Sequence, residues 1–188
     1  MCAVARRADI EASEIELVPM RRRHVRQVMR IESKVYLRPW SAALFLQEIA
    51  RRADRWYLVA KVENTVIGYG GLMTSGLEAH ITTIAVDPLY HGRHIGTKLF
   101  LALMDAAVER GAQTVSLEVR KSNTAAQAMY EKFGFQPVGV RKGYYVETGE
   151  DALVMWVDKT DTEQYADRLD GIRAKLEEYA LRERRFGR

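Results

Sequence analysis

Two hydrophobic periods alternate along the chain, and the switches between them outline its elements. After residues 1–14, which read as a flexible leader, the short apolar run over 15–18 predicts a strand that Pro19 closes. Helical spacing follows over roughly 21–36: Val25, Val28, Met29 and Ile31 turn inward, and Arg21, Arg22, Arg23, Arg26 and Arg30 supply a basic cluster. Pro39 separates this segment from a second helix over about 41–52, with Ser41 as its N-cap. The composition then turns β-rich, and 56–62 and 66–72 predict two strands joined by the turn Glu63-Asn64-Thr65 into a hairpin. Residues 79–86 predict another strand, stopped by Asp87-Pro88, and 96–110 a strongly periodic helix ending at Gly111. A strand over 114–119 and a helix over about 123–132, ended by Gly134, repeat the alternation. Two further strands are predicted over 135–146 and 153–157, with a turn around 147–150.

Strands first paired as a hairpin and later joined through helices imply a mixed sheet of about seven strands flanked by helices, an α/β or α+β fold over 15–158. Beyond Asp158 the chain becomes polar, yet Tyr165, Leu169, Ile172, Leu176 and Tyr179 recur at spacings of four and three. That stripe predicts a helical extension over 159–188. It either docks on its own domain or meets a partner or a second copy, so the chain is expected to be a monomer or a weak dimer.

Composition narrows the function. A chain of 188 residues with 47% hydrophobic content fits one domain and one active site. With 29% charged residues and no apolar run near the roughly 20 residues a bilayer requires, no membrane association is expected. The N-terminus lacks the pattern of a secretory signal, and a cytoplasmic location is the default. The single cysteine, Cys2, excludes an intramolecular disulfide and a cysteine-based zinc site. The net charge of +4 is spread among acids, which gives no support for direct nucleic-acid binding, and the arginine cluster reads as a solvated helix face or a phosphate patch.

Two stretches carry candidate chemistry. His91-Gly92-Arg93-His94-Ile95-Gly96-Thr97 joins a strand to a long helix, where unpaired backbone N–H groups and the helix dipole suit a diphosphate. An ordinary strand-to-helix connection contains glycine for conformational reasons too, so the turn alone leaves the matter open. The pair His91 and His94 has no cysteine and few carboxylates near it in sequence, and no metal site is expected. In the strand 114–119, the period of two places Val115, Leu117 and Val119 on one face and Ser116, Glu118 and Arg120 on the other. An acid within a central strand is either paired with a cation such as Arg120 or functional. Tyr130, near the end of the next helix, is either a packing residue or a proton donor.

The run Thr83-Ile84-Ala85-Val86-Asp87-Pro88 through Gly96 resembles the signature of the GNAT acetyltransferase superfamily, in which I/L-A-V-x-P leads into Q/R-x-x-G-x-G/A. Here His91 stands at the usual Gln/Arg position and His94 at the first Gly. The run from Leu117 to Phe135 resembles L-E-V-R-x-S-N-x-x-A-x-x-x-Y-x-x-x-G-F of the RimI-type ribosomal-protein-alanine N-acetyltransferases. The resemblance covers about 15–157 and implies a GNAT fold with acetyl-CoA as cosubstrate. By it, the backbone of Ile84, Ala85 and Val86 takes the pantetheine and acetyl carbonyl, the turn 91–97 takes the pyrophosphate, and Asn123 contacts the carrier. Glu118 becomes the general base and Tyr130 the general acid. Tyr36 and Trp40, in a stretch similar to F-P-W-S, and Tyr144 and Tyr145, in one similar to R-x-x-Y-Y, border the acceptor groove.

The implied reaction is direct acetyl transfer to a protein N-terminus, that of a ribosomal protein starting with alanine. Such a transfer needs a neutral amine. An α-amine of pKa about 7.7–8.0 is roughly one-tenth neutral near pH 7, and a lysine near about 10.4 only about once in 2,500. A lysine or small-amine acetyltransferase and a non-catalytic acyl-CoA-binding module are the competing readings.

Overall fold

The computed structural model describes residues 15–186; the expected leader at 1–14 lies outside them. Seven strands form one sheet in the order β1-β2-β3-β4-β5-β7-β6. They are β1 (Glu16–Pro19), β2 (Arg55–Val62), β3 (Thr65–Ser75), β4 (Glu78–Val86), β5 (Thr114–Arg120), β6 (Gln136–Tyr145) and β7 (Glu150–Asp158). Among the described residues, five α-helices accompany the sheet: α1 (Arg22–Val35), α2 (Ala42–Ala50), α3 (Ile95–Glu109), α4 (Thr124–Lys132) and α5 (Glu163–Phe186). The mixed seven-strand architecture agrees with the sequence expectation. Element ends move by a few residues, and Ser41 does cap α2, its side chain accepting from the Leu44 N–H at 3.1 Å.

Each face of the sheet buries its own core. On one, α1 and α2 cover Tyr57, Val59, Tyr69 and Ala85 with Val25, Val28, Ile31 and Phe45. The other carries α3, whose Leu99, Phe100, Leu103 and Met104 pack with Phe133 and Phe135 against Leu58, Ile67 and Val115. Burying each such large side chain contributes about 1.5–3 kcal/mol, so α3 is the main clamp on the sheet. Its approach depends on Gly70, where an added Cβ would stand 2.8 Å from Leu103 Cδ1.

The apolar stripe of α5 docks on the same domain: Tyr165, Leu169 and Leu176 are buried in the α3 core. Arg173 ion-pairs with Asp105 of α3 at 3.0 Å, and the Tyr165 hydroxyl donates to the Phe133 carbonyl at 3.0 Å. Among the described residues, no helix is long and apolar enough to cross a membrane.

Candidate active site

The site begins where two parallel strands part. β4 and β5 pair only over Glu78–His80 and Thr114–Ser116, with His80 opposite Ser116 as the last rung. Beyond it β4 continues through 81–86 with no ladder partner on the β5 side. A bulge against β3 between Gly71 and Leu72 turns this stretch of β4. The opening leaves backbone polar groups for something other than a strand, although the Ile84 carbonyl already accepts from the Tyr36 hydroxyl at 2.9 Å.

Glu118 lies just past the last rung, on the face opposite buried Val115, Leu117 and Val119, as the period of two predicts. Its sequence neighbour Arg120 is not its partner, because Arg120 pairs with Glu147 and with Glu150 and stacks 3.8 Å over the Tyr145 ring. Instead, His80 Nε2 is 3.1 Å from Glu118 Oε2 and Arg141 Nη1 is 3.0 Å from Oε1. The ring of His80 is anchored on its other side, with Nδ1 2.9 Å from Ser116 Oγ. The His80 hydrogen bond, followed by the charges of His80 and Arg141, outweighs burial and holds the Glu118 carboxyl below the usual range.

Glu118 opens into a cavity of about 460 Å³. Of the sequence-predicted residues, Tyr36, Trp40, Ile84, Asn123, Tyr130, Tyr144 and Tyr145 line it with Glu118. Tyr130, on α4, is buried, and burial pushes its phenol well above the ordinary tyrosine value, so it stays protonated. Tyr36 and Tyr145 are each pushed up to about 12, chiefly by burial. Alternation along a strand would put Tyr144 and Tyr145 on opposite faces. A register shift against β7 between Arg141 and Tyr145, with Gly143 at φ 59°, brings both rings to the cavity, 5.2 Å apart. Asn123 caps α4 by accepting from the Ala126 N–H at 3.1 Å, which leaves its amide NH₂ for another acceptor.

The other predicted group lies at the far end of β4. Ala85 is buried with its side chain in the α1 core, so any contact it makes is through backbone. His91 and His94 do not converge on a common point: His91 Nε2 is 3.0 Å from the Val86 carbonyl, and the His94 ring meets Tyr179 of α5 at 4.4 Å. His94 takes the left-handed conformation at the N-cap of α3, φ 56° and ψ 15°, and makes no side-chain cap. For a residue with a Cβ this costs about 1–2 kcal/mol. Gly92, at φ 79°, supplies the other left-handed step. The Lys98 backbone N–H donates to the His94 carbonyl at 2.9 Å as the first bond of the helix, which leaves the first-turn N–H groups of Ile95, Gly96 and Thr97 without an intrahelical acceptor.

Residues 25–135 match the model of the acetyltransferase (GNAT) family. The chain belongs to that family. It is 42% identical over 127 residues to the N-alpha-acetyltransferase RimI of Mycobacterium tuberculosis, 65% of this chain and 78% of the relative. It is 35% identical over 127 residues to the ribosomal protein bS18-alanine N-acetyltransferase of Escherichia coli, 66% of this chain and 84% of that one. The crystal structure of the Escherichia coli ribosomal-protein-alanine N-acetyltransferase superposes with a TM-score of 0.70 at 28% identity, covering 77% of this chain and 94% of that one.

As a GNAT enzyme the protein is an acetyl-CoA-dependent N-acetyltransferase, and its residues fit that cosubstrate. An extended carrier could lie along the unpaired edge of β4, with the N–H groups at the start of α3 open to a diphosphate and the cavity of Glu118 and Tyr130 open to a thioester. Sequence reasoning missed three members of this GNAT site. Glu32 is 2% exposed, lines the cavity and accepts the Trp40 N–H at 2.8 Å through Oε1, while Oε2 is buried without a partner. Burial pushes its pKa up to about 7. Its signal was present, four residues after Val28 on the apolar face of α1. His80 carries no comparable signal, and Arg141, though it opens the R-x-x-Y-Y stretch, is brought to Glu118 only by the register of β6.

Proposed function

We propose that this GNAT enzyme acetylates the α-amine of a protein N-terminus, and that its acceptor is the N-terminal alanine of a small-subunit ribosomal protein. The observation that carries the reading is the joint opening of Glu118 and Tyr130 into one cavity walled by Tyr36, Trp40, Tyr144 and Tyr145. The acceptor class follows the relatives, named for N-alpha acetylation and for the alanine of ribosomal protein bS18. The electrostatics of Glu118 favour the same choice. A carboxylate held low by His80 and Arg141 is a weak base. It suits an ammonium that releases its proton near about 7.7–8.0 better than a lysine near about 10.4.

Acetyl-CoA supplies the activated acetyl group and a thiol leaving group. The chain does the rest. Glu118 receives the incoming ammonium and takes its proton, through water, so that the neutral amine attacks directly in a ternary complex. Tyr130 keeps its proton throughout the working range and aims it at the departing sulfur. Tyr130 stabilises the departing thiolate by hydrogen bonding, and the second proton of the attacking nitrogen is lost as the tetrahedral adduct collapses, leaving an amide and, once the thiolate takes up that proton, a free thiol. The edge of β4, the first turn of α3 and the Asn123 amide hold the carrier, and the aromatic walls exclude water.

The test is mass spectrometry of alanine-starting peptides incubated with enzyme and acetyl-CoA. A peptide with a free N-terminus should gain one acetyl group there, and the same peptide with a blocked N-terminus should gain none. Acetylation of a lysine in the blocked peptide at an equal rate would transfer the reading to a side-chain amine. Binding of acetyl-CoA without turnover would make the protein a non-catalytic carrier-binding module.

A further inference from the structure

We propose that His80 is a positioning residue for acetyl transfer: it fixes one oxygen of Glu118, so that the other, covered by the exposed Arg141, is the one that meets the incoming amine. The inference rests on the reading of Glu118 as the base. The two partners of the carboxylate differ in how firmly they are held. His80 is the last rung of the β4–β5 ladder, its side chain 27% exposed, and its ring is wedged between Ser116 Oγ at 2.9 Å and Glu118 Oε2 at 3.1 Å. A carboxylate only accepts, so Nε2 presents a hydrogen to Glu118, while Nδ1 on the other side of the ring is held by the Ser116 hydroxyl. Arg141 belongs to the edge strand β6, within its register shift; its side chain is 56% exposed and also lies 5.6 Å over the Tyr144 ring.

An incoming ammonium carries the same charge as the guanidinium and can replace it on Oε1 without leaving a carboxylate unpaired. Replacing His80 on Oε2 would break both hydrogen bonds of an anchored ring. The proton therefore passes from the ammonium nitrogen to Oε1, directly or through water, while His80 keeps its Nε2 hydrogen. The other charged or titratable groups lining the cavity are Tyr144 and Tyr145 from β6, Tyr130 from α4, Glu32 from α1 and Tyr36 and Arg38 just after it, with Arg120 of β5 engaged by Glu147 and Glu150.

The experiment measures kcat and kcat/KM against pH for transfer to an alanine-starting peptide, with acetyl-CoA affinity by calorimetry as a check on the folded site. His80→Ala should lower kcat by about 10- to 100-fold, at or below the lower end of the roughly 10²- to 10⁴-fold that acid–base catalysis contributes, as suits a positioning residue, with acetyl-CoA affinity unchanged. It should also move the acidic limb of kcat/KM upward, because Glu118 loses the hydrogen bond that holds its carboxylate charged. His80→Gln, whose amide N–H reaches a similar position, should recover most of the rate and return the limb. Arg141→Gln, which removes the displaceable partner, should lower kcat by at least about threefold less than His80→Ala does. His80→Ala within twofold of wild type, an unmoved limb, or Gln no better than Ala would overturn the role of His80. A loss in Arg141→Gln equal to that in His80→Ala would overturn the choice of oxygen. Glu118→Gln separates the two levels: full activity there removes the base itself, whereas an inactive Glu118→Gln beside a fully active His80→Ala removes this inference alone.

Discussion

The cavity around Glu118 and the turn 91–97, the proposed sites of reaction and of carrier binding, sit at opposite ends of the gap beside β4 and are built by different means. In the cavity, side chains from α1, β5, α4 and β6 converge, and the central one, Glu118, is held by His80 from β4 and Arg141 from β6. The turn is one contiguous piece of chain, and what it offers is backbone: the N–H groups of Ile95, Gly96 and Thr97 at the start of α3. On the proposed reading, a substitution in the cavity acts on chemistry, and one at the turn acts on carrier binding only as far as it changes charge or backbone conformation.

The largest expected effects test that division from both ends. Glu118→Gln should lower kcat by about 10²- to 10⁴-fold and leave the calorimetric affinity for acetyl-CoA within twofold. Thr97→Asp sets a carboxylate in the first turn of α3, a position that suits an acid for helix stability but opposes a diphosphate. It should weaken acetyl-CoA binding by about tenfold or more, worth roughly 1.4 kcal/mol, with kcat at saturation little changed. If Thr97→Asp lowered kcat and spared affinity, the turn would belong to the reaction centre and the division would collapse.

The same contrast explains what could be read in the sequence. Helices and strands followed from period and punctuation, because each depends on neighbours in the chain. The turn 91–97 was legible for the same reason. Glu118 and Tyr130 were legible from a contiguous resemblance, but the groups that tune Glu118 were not: His80 lies 38 residues before it and Arg141 23 after it, and no local pattern encodes the register that joins them. The bulge bringing both Tyr144 and Tyr145 to the cavity was equally silent, since alternation predicts opposite faces.

Glu32 is the intermediate case, an acid on an apolar face whose environment gives a smaller, pH-dependent effect. Burial raises its folded pKa to about 7, above the ordinary carboxyl value of 4.5, so the folded state binds the extra proton between those values. Its favourable contribution is full below about 4.5 and is lost as pH rises through about 7. Glu32→Gln keeps an acceptor for the Trp40 N–H and has no charge to bury. The variant should be more stable than wild type by about 1–2 kcal/mol at pH 8 and nearly equal to it at pH 4.5, read from urea unfolding at both values. A stability gap independent of pH would mean that Glu32 is not the titrating group, and that the loop carrying Trp40 is held by packing alone.

The smallest effect belongs to the turn, and it asks what compensates its strain. A Cβ at the left-handed position of His94 costs about 1–2 kcal/mol, while an edge-on aromatic contact such as that with Tyr179 returns about 0.5–1.5 kcal/mol. His94→Gly loses both terms and should lie close to wild type in stability, with acetyl-CoA affinity changed less than about fivefold, roughly 1 kcal/mol. His94→Ala keeps the strain and loses the ring, so it should be less stable than His94→Gly by about 1 kcal/mol. Tyr179→Ala should then destabilise wild type more than it destabilises His94→Gly, with a coupling of about 0.5–1.5 kcal/mol in the double-mutant cycle. A coupling of zero would mean that α5 merely passes the turn. A coupling of the expected size would make Tyr179, on a helix outside the matched family segment, the support that lets a histidine occupy a glycine's conformation beside the carrier site.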